Sequence, residues 1–398
     1  MGVLPVFVRR EYRPVAPPLV PLQNSALNLS NRQPKGTRMI PISQRHRAGL
    51  QFLGSLQHFS SSHIRDLARD QFAASEKGRE LLETEVAPEP RAQLKRAREA
   101  RKAALDCPAY QHERLYQRYV AEENFVRAIP AVEEKRDVCI EVLSREPEYQ
   151  GGSLELDDSV PIPKYYEGVE WHLEPGGWDG YDLATPMFMA GVAPYVFSRG
   201  GYAAVEVDQD IRRQRVDVVS LLPKDHYDRI YEPGCGGLGA LAACSKVYPD
   251  AELTGSDIST ALLKGGHKVA RNMGIPIHLK QRDARDTGEP DESYDAVLMY
   301  ALLHEMPVKV SIDTIREAYR ILKPGGDIVI NDPPPFCRVD AFQAAILDWE
   351  SEYRGEPFFS AACSMDWATV LEEVGFKVLE ARALDSRGYP WVNVATKP

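Results

Sequence analysis

No apolar run in this 398-residue sequence approaches the roughly 18 residues that a membrane span requires, so no membrane span is expected. Paired cysteine is missing too. Cys107, Cys139, Cys235, Cys244, Cys337 and Cys363 are scattered, with no C-x-x-C pair and no Cys/His cluster. That argues against a structural zinc site or a disulfide scaffold; no metal is expected, and the pattern fits a reducing, cytoplasmic compartment. Basic charge is in short supply: 48 Lys and Arg stand against 58 Asp and Glu, a formal charge of −10. With no basic stripe carrying interleaved aromatics, nucleic acid is a poor candidate partner. What remains is ordinary globular composition, 43% hydrophobic and 27% charged, over a length suited to two or three domains.

The charge is unevenly spread. Residues 1–50 hold eight basic side chains and one acid, Glu11, so this stretch carries +7 and the rest of the chain −17. Seven prolines and no sustained periodicity mark it as a poorly ordered basic arm. A solvated tail, an organellar transit segment and an arm that steers an anionic ligand all stay open for it. No secretory signal is expected. Residues 51–150 read as an α-helical domain, a lid or a dimerisation module, cut by Pro88, Pro90, Pro108, Pro130 and Pro147. Its apolar stripe runs through Leu115, Tyr119, Phe125 and Ile140, and a homodimer through this region is one expectation.

Residues 151–224 form a bridge rich in Gly, Pro and aromatics, either a segment packed across the next domain or a pocket wall. Trp171, Trp178, Tyr181, Met187, Phe188, Met189, Tyr195 and Phe197 are its candidate pocket lining, suited to an apolar or aromatic small molecule. From 225 to 398, short apolar runs alternate with helical stretches, which implies a parallel sheet with helices on both faces. The end differs: Lys377–Ala383 and Trp391–Thr396, around Asp385-Ser386-Arg387-Gly388, read as an antiparallel hairpin. The insert 337–362 is expected to be half core and half pocket roof.

The first strand runs into Tyr231-Glu232-Pro233-Gly234-Cys235-Gly236-Gly237-Leu238-Gly239. Gly234, Gly236 and Gly239 satisfy the dinucleotide fingerprint, and Asp257 lies near where that fingerprint wants a ribose acid. A glycine turn without a ligand also stays open. Glu232 weighs against NAD, because a carboxylate there suits an ammonium group and repels a pyrophosphate. Asp283, in Arg282-Asp283-Ala284 at the end of the third strand, is placed to meet the amino group of an adenine.

Together with Thr254-Gly255-Ser256-Asp257-Ile258-Ser259, Leu303-His304-Glu305-Met306-Pro307 and Leu322–Gly326, these motifs resemble the class I S-adenosylmethionine (SAM)-dependent methyltransferases. The likeness is to the branch that includes the ubiquinone and menaquinone methyltransferases. It implies a Rossmann-like, seven-stranded α/β sheet with an antiparallel last strand, preceded here by an α-helical N-terminal domain. It also implies SAM as cofactor, with Glu232, Gly234 and Gly236 at the methionine moiety and Asp257 at the ribose. Ile258 would pack on adenine, and Asp283 and Ala284 would meet its edge. One departure is that Leu238 stands where this branch more often has a third glycine.

His304 follows the fourth strand at the carboxyl end of the sheet, where an imidazole could take a proton from a hydroxyl or activated carbon. His172 and Glu174 in the bridge are rivals, and Tyr300 is expected beside the cofactor or substrate. Asn331 or Asp332, leaving the fifth strand, and Trp178 are candidates for substrate contact. The expected activity is O- or C-methylation of a small, largely apolar metabolite. The alternatives are a methyltransferase fold turned to cyclisation or other non-methylating chemistry, and an NAD-dependent dehydrogenase.

Overall fold

The computed structural model describes residues 40–85, 87–199, 211–385 and 388–398. Most of the basic arm and two residues of the expected hairpin turn, Ser386 and Arg387, lie outside the described residues. Six helices come first: α1 (Gln44–Phe59), α2 (Arg65–Ala74), α3 (Glu76–Glu83), α4 (Pro90–Ala104), α5 (Pro108–Glu133) and α6 (Arg136–Ser144). The helical region thus starts inside the stretch assigned to the arm. Pro90 and Pro108 open α4 and α5, where a missing N–H costs nothing. Ser75 starts α3 by accepting the Gly78 N–H at 3.0 Å. Pro130 was expected to break a helix but lies within the last turn of α5. Of the expected apolar stripe, Phe125 is buried, whereas Leu115 and Ile140 face solvent.

The bridge holds β1 (Ser153–Glu155) and two short helices, α7 (Ala184–Met187) and α8 (Ala193–Tyr195), and α9 (Ile211–Val219) follows. Then comes the expected alternation: β2 (Arg229–Pro233), α10 (Leu241–Val247), β3 (Glu252–Asp257), α11 (Thr260–Met273) and β4 (Ile277–Gln281). It continues with β5 (Tyr294–Tyr300), α12 (Val308–Ile321), β6 (Leu322–Asp332), α13 (Ala341–Tyr353), α14 (Phe359–Cys363) and α15 (Trp367–Val374). The pair β7 (Lys377–Ala383) and β8 (Trp391–Thr396) ends the chain.

The sheet runs β1-β4-β3-β2-β5-β6-β8-β7. Among the described strands β8 runs opposite to the others, wedged between β6 and β7. Seven strands match the expectation; the eighth, β1, comes from the bridge and pairs in parallel with β4 at the edge. One face packs Val218, Leu241 and Leu263 of α9, α10 and α11; the other packs Ile315, Trp367 and Leu371 of α12 and α15. Strand order reverses between β2 and β5, which opens a crevice at their carboxyl ends.

Two expectations change. Tyr181, Met187 and Tyr195 do not line a pocket; they pack with Leu50, Leu53, Phe125 and Val132 in the helical core. Phe188 and Met189 are exposed. The reason is that α7 and α8 turn one side onto α1 and α5, which need apolar cover. The insert is more buried than expected too, for every residue from Ala341 to Glu350 in α13 is buried. Phe342 meets Phe72 of α2 at 5.6 Å and Tyr110 of α5 at 6.3 Å between ring centroids. The N-terminal helices therefore share a core with α13.

Phe342→Ala should lower stability by about 3–5 kcal/mol, because it removes a fully buried ring from that shared core. Urea unfolding of the full chain measures this, and the loss should appear in helical and sheet signals together.

Candidate active site

The carboxyl end of β2 leads into the glycine turn, where Gly234 sits at φ +63° and Gly236 at φ +48°. The two glycines serve different ends. A Cβ on Gly234 would come within 2.3 Å of Leu302, whereas one on Gly236 would meet nothing within 4 Å. The first is demanded by packing and the second borders open space, as does Gly237. Leu238 takes a left-handed φ of +69°, a conformation that costs a side-chain-bearing residue about 1 kcal/mol or more. It is buried against Gly266 of α11, whose lack of a side chain makes room for it.

Glu232 is buried at the end of β2, and its Oε2 has no hydrogen-bond partner. Burial pushes its carboxyl well above the usual range, opposed by the nearby Arg215 charge. Asp257 ends β3 and accepts the Gly236 N–H at 2.9 Å and the Ser259 N–H at 2.8 Å. Burial raises it to about 6 in spite of those donors. Tyr300 closes this side of the crevice, donating its hydroxyl to Gln214 Oε1 at 2.7 Å. The Arg215 guanidinium lies 5.5 Å from the Tyr300 ring centroid. Sequence reasoning missed Gln214 and Arg215, since α9 precedes the motifs and carries no signature. Ile258 and Ala284 are half-buried at the strand ends. Asp283 follows β4, with its carboxylate paired to Arg285 at 2.7 Å.

The second half of the site gathers the histidines. His304 is buried after β5, and its Nδ1 lies 2.6 Å from Asp332 Oδ1 at the end of β6. The other Asp332 oxygen accepts the Leu303 N–H at 2.7 Å, which fixes the carboxylate. Glu305 Oε1 lies 3.4 Å from His304 Nε2 and 3.2 Å from His172 Nε2. His172 Nδ1 in turn lies 2.7 Å from Glu356. The bridge reaches this point because Gly355, at φ +69°, lets the backbone of 170–173 settle on it; a Cβ there would stand 2.5 Å from the Glu170 carbonyl. His172 itself takes φ +55°. Burial works against a charged His304, but Asp332 and Glu305 outweigh it and hold the imidazole well above its ordinary pKa. The structure thus brings His172, His304 and Asp332 together and adds Glu305 and Glu356. Glu305 was visible only as part of a motif. Glu356, in an unremarkable Gly-Glu-Pro turn, gave no signal.

Trp178 stacks on Trp171 at 5.4 Å and lies 5.7 Å from the His172 ring. Asp179 ties this stretch to α11, accepting the Ser259 hydroxyl at 2.7 Å next to Asp257. Glu174 is raised to about 7 by burial. Asn331 donates to the Trp391 carbonyl across β6 and β8, which ties its amide group to the sheet.

Residues 230–326 match the family described as a methyltransferase domain. The chain carries a class I SAM-dependent methyltransferase domain. A demethylmenaquinone methyltransferase of Symbiobacterium thermophilum is 33% identical over 135 residues, covering 33% of this chain and 51% of the relative. A ubiquinone biosynthesis O-methyltransferase of Alkalilimnicola ehrlichii is 31% identical, covering 26% and 40%. A 27-O-demethylrifamycin SV methyltransferase of Amycolatopsis mediterranei is 30% identical, covering 29% and 42%. The chain spans about half or less of the length of these curated relatives. Among solved structures, the [4+2]-cyclase SpnF aligns at a TM-score of 0.41 with 21% identity, covering 58% of this chain and 80% of that one. The cofactor of the methyltransferase domain is SAM, and the residues present fit it. An unpartnered, buried Glu232 oxygen suits an ammonium group, and the space over Gly236 and Gly237 admits a ligand backbone.

Binding of S-adenosylhomocysteine should weaken as pH falls through about 6, where Asp257 gains a proton and loses acceptor capacity. Asp257→Asn should bind weakly throughout, with that pH dependence flattened. Calorimetry from pH 5 to 8 measures both.

Proposed function

We propose that the protein transfers the methyl group of SAM to an oxygen of a small, largely apolar metabolite. The observation that carries this reading is the His304–Asp332 pair, buried at the carboxyl edge of the sheet with 2.6 Å between Nδ1 and the carboxylate. A carboxylate there fixes the imidazole's orientation, and Nε2, which faces Glu305 Oε1 at 3.4 Å, takes a substrate proton by exchanging that contact. The stacked Trp171 and Trp178 and the Phe358 ring, 6.2 Å from Trp171, support an apolar or aromatic acceptor. Six free thiols fit a reducing, cytoplasmic setting.

In this reading Glu232 holds the cofactor's ammonium group and Arg215 its carboxylate, two opposite charges for a zwitterionic tail. Asp257 accepts the ribose hydroxyls, Gly234 and Gly236 shape the turn, and Ile258 and Ala284 flank the adenine. Asp283, paired with Arg285, meets the amino group of the base with a remaining lone pair. The cofactor supplies a methyl group already activated on a sulfonium. His304 takes the acceptor's proton as the oxygen lone pair forms the new C–O bond, and the C–S electron pair returns to sulfur. The bridge, tied down through Asp179, covers the crevice and excludes water, and alignment of this kind can lower the barrier by several kcal/mol.

His304→Ala should lower kcat on the order of 10²–10⁴-fold while leaving S-adenosylhomocysteine affinity unchanged. The sign of the pH dependence follows from the raised His304 pKa. The imidazole acts as a base only after losing its proton, so the rate should climb with pH above the usual histidine range. Asp332→Asn removes one of the two charges that raise it, so the rising limb should move to lower pH. A residue that served packing alone would lower the rate without moving the limb. A pH–rate profile with a hydroxylated aromatic acceptor distinguishes these outcomes.

A further inference from the structure

The His304–Asp332 pair leaves a group of side chains next to it without a task. Three separate segments, the bridge, the turn after β5 and the loop after α13, deliver His172, Glu305 and Glu356 to one place. Each can offer one donor atom such that all three lie within 4.8 Å of one another. Metal bonds of about 2.0–2.2 Å put donor atoms roughly 3–3.5 Å apart, so closing the set around an ion brings both carboxylates to one ring nitrogen of His172, which here faces Glu305 through Nε2 and Glu356 through Nδ1. Glu356 is nearly inaccessible, and its Oε2 is buried with no hydrogen-bond partner; Glu305 Oε2 is in the same condition. A buried carboxylate oxygen left without a partner is costly, and coordination to a cation is a standard way to satisfy it.

The composition of the set narrows the occupant. An ammonium or guanidinium ligand could donate hydrogen bonds to the carboxylates and to a neutral imidazole, whereas a metal takes the nitrogen and the oxygens as ligands at one centre. One nitrogen with two carboxylates suits a first-row divalent transition ion better than magnesium, which prefers oxygen and water. Three protein ligands also leave coordination positions free.

We propose that His172, Glu305 and Glu356 bind a divalent transition-metal cation, with open positions turned to an oxygen of the methyl acceptor. The metal site stands on its own residues; only its use on the acceptor rests on the methyl-transfer reading. A hydroxyl bound to the cation would give up its proton more readily, and His304, beside Glu305, is the neighbouring group to receive it.

The test is calorimetric titration of the full-length protein, stripped of metal with a chelator, with Zn²⁺, Mn²⁺ and Mg²⁺. Binding of one equivalent is expected, weakened at least tenfold in both His172→Ala and Glu356→Gln. S-adenosylhomocysteine binding by the same variants, unchanged from the parent, shows that they remain folded. No stoichiometric binding, equal binding by both variants, or tighter binding of Mg²⁺ than of Zn²⁺ overturns the proposal. The two readings fail separately. Absence of metal binding leaves methyl transfer untouched, and absence of S-adenosylhomocysteine binding by the parent protein leaves the metal site standing.

Discussion

Buried charge in a row sets the terms for the rest of this structure. Asp332, His304, Glu305, His172 and Glu356 follow one another through contacts of 2.6 to 3.4 Å, alternating carboxylate and imidazole. None of these groups is stable in such a place alone, because an unpaired buried charge costs several kcal/mol. Their alternation satisfies most of that demand, and it requires three segments distant in sequence to meet. The bridge has to settle on Gly355, the 303–305 turn has to follow β5, and β6 has to end at Asp332.

Those requirements explain why the N-terminal helices matter to the site. The helix α13, buried from Ala341 to Glu350, is the element between β6 and the loop that carries Glu356. It is gripped by Phe72 and Tyr110, and by ion pairs that run from Arg65 through Glu113 and Arg114 toward Glu350. A sheet without those helices would leave an apolar helix uncovered and Glu356 unsupported. The helical region thus supports α13 and, through it, the loop that carries Glu356.

The sequence showed the sheet clearly and the site in part. Strand and helix alternation after 225 was legible because parallel βα units carry strong periodicity, and the final pair was marked by its turn residues. Glu232, Asp257 and His304 were legible because each sits at a strand end next to a recognisable turn. Glu356 and Arg215 were not, since a position distant in the chain acquires meaning only when packing brings it in. The aromatic bridge misled in a specific way. Tyr181 and Met187 look the same in sequence whether they line a pocket or fill a core, and α1 and α5 claimed them for the core. Asp283 was placed correctly at a strand end, but Arg285, two residues on, was not recognised as its partner.

In the proposed reading the glycine turn and the histidine row are two halves of one active site, with the cofactor's sulfur between them. A crystal structure of the S-adenosylhomocysteine complex tests it most directly. The account predicts the amino group within hydrogen-bonding distance of Glu232, the ribose on Asp257, and the sulfur facing the side of the crevice where His304 and His172 lie. A ligand bound away from Glu232, or one whose sulfur faces away from both histidines, would contradict it.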